Sequence, residues 1–600
     1  MVKPCRDASR LYKMNNAMTK DKSQNWKILL CCGIFIWLII NLLQGIFTEI
    51  HEDEAYYALY GEHLAWGYFD HPPMVGLMTF LSSIFFSGSL GVRFFTIIAS
   101  CLSLWVMWRI AQVPEPVEGP TCKHVFLFLV LSFSIVMFNI YGFVTTPDVG
   151  LILFSTLFLL VYQRYLEEST WLRALLMGLL IACMVYSKYH AFMLLGLIVL
   201  SNLKLLKDGK FWVACFVALA LLTPHILWQV NNDFPSFKYH LSQRSEPFRW
   251  SYFLEYLPNQ LLIFNPFTFG AIVYVLCIDS RHRTSLRWND MHSKLVFERG
   301  LKFIFIGFFF FFWLMAFRGH VEPHWTIVCC IPVVVLLYRK ALVDNKLMKY
   351  VKCFILPSLL LVLAFRILLM TTLVDRFGYH GKETYYKAVE KVAGDSPVVF
   401  QGSFQQPALY HYFTGKESSS LRAFYDRKTQ FDLWQFDTAW IDQSVFICGP
   451  VLNLSKKFDV DNQRVEGYLM QHFQSPNRLV TDFKIVGLND AEPFTVYHND
   501  TLQVDFSIYN PLDKPIDFQH NEMTISLVAQ YLVTNDFCYC FYDEDIRIEP
   551  HSCYTGHLHT VVSDDIPTGK NRFVIGLGDG VSMFNTEENQ IGVMVLEKNQ

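Results

Sequence analysis

The stretch "EIHEDEAYYALYGEHLAWGYFDHPPM" (residues 49–74) follows directly on an apolar run at residues 26–48. It contains six carboxylates, four tyrosines and no lysine or arginine. Loops that lack lysine and arginine are typical of the non-cytoplasmic side of a membrane. The stretch therefore predicts that the chain leaves a membrane at Glu49 and continues outside the cytoplasm.

The composition supports a membrane protein. The 600 residues are 52% hydrophobic and only 17% charged, whereas charged residues make up about a quarter of an ordinary soluble protein. A net charge of -3 argues against a general nucleic-acid binder, and we expect no nucleic-acid partner.

Eleven apolar segments are long enough to be interpreted as membrane spans. They cover residues 26–48, 88–110, 124–144, 149–163, 173–187, 190–203, 211–230, 254–277, 301–317, 324–338 and 351–373. The segment before the first span (3–27) carries seven Lys and Arg. We therefore expect residues 1–25 to be a cytoplasmic tail. An odd number of spans then places the C-terminus outside.

The fifth and sixth spans are separated only by "YSKYH" (186–190). Basic residues flank both ends of this pair, which predicts a hairpin whose outer turn contains Lys188. Each arm is about 14 residues, or roughly 21 Å, against a bilayer core of about 30 Å, so the turn must lie below the outer surface. A buried lysine there is a functional candidate, although snorkelling to the headgroups is the simpler alternative.

The last third of the chain has a different character. Residues 376–475 mix an amphipathic helix with short apolar runs, which predicts an α/β domain, and 476–600 show strand-like alternation, which predicts a β-sandwich. We expect both domains to be extracytoplasmic. Three cysteines in the sandwich (Cys538, Cys540, Cys553) could form a disulfide, or could bind zinc together with three nearby histidines (His551, His557, His559).

The predicted topology brings polar residues from four loops to the outer face. Acidic Asp53, Glu54 and Asp148 could deprotonate or orient a nucleophile. Cationic Lys188 and Arg318 could hold an anionic leaving group such as phosphate. Taken singly, each has a plainer interpretation, since Asp148 can cap a helix and an arginine at a membrane edge can anchor lipid.

Several motifs together resemble a known family. They are "DEAYYALYGEHLAWGYFDHPPMVGLM", "GVRFFTIIAS", "TTPDVGLIL", "YSKYHAF" and "RGHVEPHW". This combination is similar to the polyprenyl-phosphate-sugar glycosyltransferases of the family 39-like group, which includes protein O-mannosyltransferases and lipid A aminoarabinose transferases. The resemblance covers residues 26–375, with an interfacial loop at 49–87, and implies the GT-C fold. It also implies a lipid-linked sugar donor, inversion at the anomeric carbon, and Asp53, with Glu54 beside it, as the catalytic carboxylate.

The predicted fold is therefore a polytopic α-helical membrane protein of GT-C type with C-terminal α/β and β-sandwich domains. The predicted activity is transfer of a sugar from a polyprenyl-phosphate donor to an extracytoplasmic protein, lipid or glycan, at the inner (plasma) membrane. The predicted site has Asp53 and Glu54 as catalytic residues, Asp148, His71 and Tyr57 orienting the sugar or acceptor, and Lys188, Arg318 and His320 binding the donor phosphate.

A monophosphate leaving group with cationic partners requires no metal, so no cofactor is predicted, although the carboxylates and histidines make a divalent metal conceivable. Two other functions remain open. A lipid or lipid-linked sugar translocator would also use a buried lysine and an outer polar cavity. A membrane-anchored binding protein would act through its β-sandwich, but it needs far fewer spans.

Overall fold

The computed structural model describes residues 6–112, 119–238, 249–278, 291–373, 380–421, 428–450, 454–486, 494–520, 523–532, 537–542, 545–578, 583–584 and 590–597. The chain divides into two compact units, Met1–His380 and Gly381–Gln600. The first is the helical unit and the second is the strand-rich unit.

The helical unit has seventeen described α-helices. They are α1 (Arg6–Phe47), α2 (Glu52–Glu62), α3 (Met74–Phe85), α4 (Gly88–Ala111), α5 (Cys122–Phe133), α6 (Val136–Ile140), α7 (Pro147–Glu167), α8 (Trp171–Ser187), α9 (His190–Ser201), α10 (Gly209–Asn231), α11 (Pro235–Lys238), α12 (Trp250–Phe264), α13 (Pro266–Ile278), α14 (Met291–Met315), α15 (Cys330–Ala341), α16 (Asn345–Tyr350) and α17 (Leu356–Leu369). A π-helical turn (Val351–Ile355) joins α16 to α17, and 3-10 turns precede α10 (Leu203–Lys207) and α15 (Pro323–Cys329).

Six helices in the described ranges are long and apolar enough to cross a membrane, and a bent pair would make seven. Four shorter apolar helices, α3, α5, α8 and α9, accompany them. The chain is therefore a multi-pass helical membrane protein, as predicted. The number of eleven spans is not established by helix length and composition.

The predicted span at 254–277 is wrong as a single helix. It consists of α12 and α13, which meet at an angle of 100°. Asn265 lies between them with a φ of 67°, and Pro266 begins α13. Proline disfavours helical geometry in the residue before it, so the Asn-Pro pair ends the first helix and starts another in a new direction.

Residues 173–203 fold as two helices, α8 and α9, with Lys188 and Tyr189 between them, where the hairpin turn is predicted. The helices have 17 and 12 residues. At 1.5 Å per residue, α9 is shorter than the bilayer core is thick. Lys188 is only 7% exposed, so the turn lies inside the protein and the snorkelling alternative is wrong.

The outer loop at 49–87 contains α2 and α3, which pack closely. A Cβ atom at Gly61 would lie 2.8 Å from the backbone nitrogen of Phe80, so only glycine permits this approach. Tyr56, Tyr57 and Tyr60 on α2 are all buried. These tyrosines therefore pack inside the protein.

The strand-rich unit begins with a five-stranded sheet of order β2-β1-β3-β5-β4. Its strands are β1 (Val398–Gln401), β2 (Ser418–Leu421), β3 (Val445–Cys448), β4 (Lys456–Val460) and β5 (Gln463–Met470), and its helices are α18 (Lys382–Ala393), α19 (Gln405–Thr414) and α20 (Gln430–Trp434). Strand β1 is parallel to β2 and β3, whereas β5 is antiparallel to β3 and β4.

The remaining strands form antiparallel-rich sheets of orders β15-β8-β6 and β13-β12-β16-β18-β7, with β17 beside β16, and the two-stranded pairs β10-β11 and β14-β9. The strands are β6 (Val480–Ile485), β7 (Phe494–Tyr497), β8 (Thr501–Tyr509), β9 (Ile516–Asp517), β10 (Gln519–His520), β11 (Met523–Thr524), β12 (Ser526–Leu532), β13 (Phe537–Tyr542), β14 (Arg547–Ile548), β15 (Cys553–Val561), β16 (Gly569–Gly578), β17 (Met583–Phe584) and β18 (Gln590–Leu596).

The predicted alternation over residues 502–508 is confirmed, because Leu502, Val504, Phe506 and Ile508 are buried on one face of β8. They share one hydrophobic core with Ile447 of the five-stranded sheet. The predicted α/β and β-sandwich regions are therefore packed together within one compact unit.

Cys553 is an exposed free thiol, and the side chains of Cys538 and Cys540 lie outside the described part of the unit. The described residues contain no cluster of three or more His, Cys, Asp or Glu that could hold a metal ion.

Candidate active site

Helix α2, which follows the first predicted span, begins with a reciprocal cap. The imidazole Nδ1 of His51 accepts a hydrogen bond from the backbone N–H of Asp53 at 3.3 Å, and Glu54 Oε2 accepts one from the backbone N–H of His51 at 3.0 Å. Such caps satisfy N–H groups that the first helical turn leaves without partners. The three consecutive acids Glu52, Asp53 and Glu54 therefore have a local structural reason to start a helix here, which also places them near its positive end.

Glu54 forms a fully buried ion pair with Arg93 of α4. Arg93 Nε donates to Glu54 Oε1 at 2.8 Å, and Nη2 donates to Oε2 at 2.5 Å. Oε1 also accepts from the backbone N–H of Thr145 at 2.8 Å. Arg93 reaches the end of α1 as well, because Nη1 donates to the carbonyl oxygen of Thr48 at 2.8 Å. One ion pair thus joins α1, α2, α4 and the segment before α7.

This environment indicates a structural role for Glu54. Burial alone would raise the pKa of Glu54, but the charge and hydrogen bonds of Arg93 and the N–H groups of His51 and Thr145 outweigh burial and lower it. A carboxylate with all four hydrogen bonds made inside the protein is a poor proton acceptor. The geometry therefore corrects the expectation that Glu54 is catalytic, and it makes Glu54 the residue that positions α2.

Asp53, by contrast, is partly exposed. Its side chain is 45% exposed, and its Oδ2 lies 3.7 Å from Nδ1 of His51. Neighbouring Tyr57 is buried, and burial together with the charges of Asp53, Asp70 and Asp148 raises its pKa well above its ordinary value. The Tyr57 hydroxyl therefore stays protonated and can donate a hydrogen bond.

The stretch containing His71 folds back onto α2. The Tyr57 and His71 rings are 5.7 Å apart. One residue earlier, Asp70 is 4% exposed and accepts a hydrogen bond from the hydroxyl of Tyr56 at 3.0 Å. The structure therefore brings the predicted residues Tyr57 and His71 together, and Asp70, next to His71 in the chain, is a further carboxylate that the predicted set omits.

Asp148 and Lys188 form a second buried ion pair. Lys188 Nζ lies 2.8 Å from Oδ1 and 2.7 Å from Oδ2 of Asp148. Nε2 of His324 lies 3.8 Å from Asp148 Oδ2. The two residues were predicted to act in separate acidic and cationic halves of the site, but they are direct partners. Asp148 supplies the negative charge that stabilises a lysine in this buried position.

The loop "RGHVEPHW" contributes residues that differ from the predicted ones. His320 is 41% exposed, lies 3.9 Å from Glu322 and packs against the ring of Tyr252. Arg318 is exposed, and no contact in the described ranges joins its side chain to Asp148 or Lys188. The loop residue that reaches the ion pair is His324, so Arg318 and His320 are peripheral to the pair in this structure.

Arg93 is the structural residue that sequence reasoning missed. It lies in "GVRFFTIIAS", six residues into α4, where an arginine at the end of an apolar run resembles a headgroup anchor. The signal that could have identified it is the free-energy cost of burying a charge, because a charged residue inside an apolar helix needs a partner. Buried carboxylates are the partners that Arg prefers.

Comparisons with known proteins agree with this fold. Residues 70–228 match the sequence model of the dolichyl-phosphate-mannose-protein mannosyltransferase family. No curated protein matches the chain.

Solved structures extend the likeness beyond the matched segment. The crystal structure of ArnT from Cupriavidus metallidurans bound to undecaprenyl phosphate superposes with a TM-score of 0.54 at 13% identity, covering 74% of this chain and 98% of that one. Its apo form gives 0.53 with the same coverage and identity. Arabinofuranosyltransferase AftD from Mycobacteria gives 0.38, which is too low to define a common fold.

The class of protein is therefore a multi-pass membrane protein with the GT-C glycosyltransferase fold and a C-terminal β domain. Within that class, the fold is that of ArnT, and the predicted resemblance to the family 39-like glycosyltransferases is confirmed.

Proposed function

We propose that this chain is an inverting glycosyltransferase that moves a sugar from a polyprenyl-phosphate donor to an extracytoplasmic acceptor. The observation that carries the proposal is the contrast between two neighbouring carboxylates on α2. Glu54 is held in a fully buried ion pair, which fixes the helix, while the side chain of Asp53 on the same helix is 45% exposed. A partly exposed carboxylate on a fixed helix is suitably placed to act as a general base.

The donor class is supported by the relatives. The name of the matching family contains dolichyl-phosphate-mannose, and the ArnT crystal structure contains undecaprenyl phosphate. Both compounds are polyprenyl phosphates, so a polyprenyl-phosphate-linked sugar is the donor that we assign to this chain. The donor sugar and the acceptor, whether a protein, lipid or glycan, belong to the same proposal and remain to be identified.

In the proposed reaction, an acceptor hydroxyl attacks C1 of the donor sugar while Asp53 takes its proton. A bond forms between the acceptor oxygen and C1, and the bond from C1 to the phosphate oxygen breaks with inversion. The released polyprenyl phosphate carries the electron pair away. Positive charge that develops on the sugar in the transition state is stabilised by the carboxylates of Asp53 and Asp70.

The leaving phosphate is assigned to the cations. Lys188 is held by Asp148 in the resting structure, so the phosphate shares Lys188 with Asp148, and His324 beside them can add a donor when protonated. Arg318 and His320, which are exposed, are assigned to the entry of the phosphate. Tyr57 and His71 remain assigned to orientation of the sugar or acceptor, and no divalent metal is part of the scheme.

The orientation of the chain follows the same reasoning. We assign the chain to the inner (plasma) membrane. We place the N-terminal tail in the cytoplasm and both the site and the strand-rich unit on the extracytoplasmic side, because basic residues concentrate in the loops assigned to the cytoplasm.

Reconstitution tests the activity. Purified protein in liposomes with polyprenyl-phosphate-linked sugars and candidate acceptors should release polyprenyl phosphate and form a glycosidic bond, both detectable by mass spectrometry. Movement of the intact donor across the bilayer without cleavage would instead indicate the translocator. Comparing surface glycolipids and glycoproteins with and without the gene would identify the acceptor class.

A further inference from the structure

The motif "YSKYH" (186–190) surrounds Lys188 with two tyrosines that bind the same neighbouring helix. The hydroxyl of Tyr186 donates to the carbonyl oxygen of Leu221 on α10 at 2.5 Å. The hydroxyl of Tyr189 lies 3.0 Å from Nε2 of His225, one turn further along α10. The turn that holds Lys188 is therefore attached to α10 on both sides of the lysine.

His225 also binds the loop at 64–71. Its Nδ1 lies 2.6 Å from the carbonyl oxygen of Trp66, and the ring is 4% exposed. A second branch starts at Gln229, whose Nε2 donates to the hydroxyl of Tyr189 at 3.1 Å and to the hydroxyl of Ser236 at 2.9 Å. Ser236 then donates to the carbonyl oxygen of Tyr68 at 3.0 Å. We call Tyr189, His225, Gln229 and Ser236 the Gln229 network.

The donor directions in this network follow from its two ends. Both ends are carbonyl oxygens, which only accept, so Nδ1 of His225 must carry a proton and Ser236 must donate. In neutral His225, Nε2 is then an acceptor, the Tyr189 hydroxyl donates to it, and the Tyr189 oxygen accepts from Gln229. The two N–H groups of the Gln229 amide thus supply both branches. One branch ends at the carbonyl oxygen of Trp66 and the other at that of Tyr68, on either side of Gly67.

Packing supports the same contact. A Cβ atom at Gly67 would lie 2.3 Å from Cε3 of Trp228, so the loop lies against α10 where only glycine fits. The backbone N–H of Tyr68 donates to the carbonyl oxygen of His71 at 3.0 Å. The loop segment bound by the network is therefore continuous with the stretch that carries Asp70 and His71.

We propose that the Gln229 network positions the Lys188 turn and the outer loop at 64–71 relative to each other. The hydrogen bonds of its side chains run to one another and to the carbonyl oxygens of Trp66 and Tyr68, so we assign them as positioning residues. In the sugar transfer proposed above, the network sets the distance between the phosphate-binding lysine and the residues that orient the sugar or acceptor. This consequence rests on the proposed function, whereas the mechanical coupling does not.

Hydrogen–deuterium exchange of the full chain in nanodiscs tests the coupling without any substrate. The Tyr189→Phe variant keeps the ring and removes the hydroxyl, and we expect the amides of Ala65 and Tyr68 to exchange about fivefold faster, as for the loss of one hydrogen bond. Tyr186→Phe is the matched control, because it removes a hydroxyl bound to α10 that is outside the network. We expect it to leave exchange in the loop unchanged.

Combined variants test whether the residues act as one unit. His225→Asn retains a donor near the position of Nδ1 but lacks the acceptor for Tyr189. The double variant Tyr189→Phe/His225→Asn should therefore show loop exchange close to that of the more affected single variant, and not the product of the two effects. Unchanged loop exchange in Tyr189→Phe, an equal increase in Tyr186→Phe, or multiplicative effects in the double variant would each overturn the proposal.

Kinetics of sugar transfer provide the functional readout. Because the network sets geometry, we expect Tyr189→Phe to lower kcat roughly tenfold with little change in KM for the donor, and Tyr186→Phe to keep the wild-type kcat. An increase in KM with kcat unchanged would contradict the positioning role. If the wild-type chain transfers no sugar, the proposed function fails, but the exchange measurements still decide whether the network couples the loop to the turn.

Discussion

Removing Arg93 should destabilise the helical unit more than removing any exposed arginine. The N–H groups of its guanidinium face six oxygen atoms within hydrogen-bond distance, two of Glu54 and four of α1 and the residues that follow it, and both Arg93 and Glu54 are fully buried. Arg93→Met leaves the Glu54 charge buried with only two backbone N–H partners. We expect the free energy of unfolding to fall by about 3–5 kcal/mol, as for other buried pairs that lose one partner.

Equilibrium unfolding by SDS in mixed micelles measures this change. The matched control is Arg109→Met, because Arg109 lies on the same helix, is exposed and packs its guanidinium over the Trp105 ring. The double variant Glu54→Gln/Arg93→Met removes the buried charge, so its loss should be smaller than the sum of the single losses. Equal losses for Arg93→Met and Arg109→Met would refute the structural role of the pair.

The same pair predicts a dependence on pH. The pKa of Glu54 is lowered from its ordinary value of 4.5, so its stabilising effect is fully present above that value. The effect is lost as the pH falls through the lower pKa of the folded state. The free energy of unfolding should therefore decline below about pH 4.5, and Glu54→Gln should decline less over the same range.

Three further perturbations test other parts of the account. Lys188→Met leaves Asp148 buried with its charge unpaired and should cost about 3–5 kcal/mol of stability, while Asp148→Asn in the same chain should restore part of it; SDS unfolding checks both. In the strand-rich unit, Arg478 is paired with buried Asp437, so Arg478→Met should lower the temperature at which that unit unfolds, measured by differential scanning calorimetry of the full chain. Sugar transfer should survive EDTA, and loss that is reversed by added metal would contradict the scheme without a metal.

The helical fold could be predicted because its signals are local. Long apolar runs predict most of the helices, and the distribution of Lys and Arg predicts an extracytoplasmic position for α2. Lys188 could be identified as buried, since two short helices must share one turn. The break at Asn265 was equally local, because Pro266 follows it directly, but the surrounding apolar run masked this signal.

The site was less predictable, because the partner of a charged residue is set by packing between distant segments. Glu54 and Arg93 are 39 residues apart, and Lys188 and Asp148 are 40 apart. The predicted topology assigns all of these residues to the same face of the membrane. The sequence does not show which of them form pairs. For this reason Glu54 resembled a second catalytic acid, and Asp148 and Lys188 resembled opposite halves of a site.

The central claim is that Asp53 is the general base of sugar transfer. The most direct measurement compares the rates of Asp53→Asn and Glu52→Gln in proteoliposomes supplied with polyprenyl-phosphate-linked sugar and acceptor, since both changes neutralise one carboxylate in the first turn of α2. The expected result is that Asp53→Asn loses at least about 100-fold in rate with wild-type stability, and that Glu52→Gln stays near wild type. Full transfer by Asp53→Asn would contradict it.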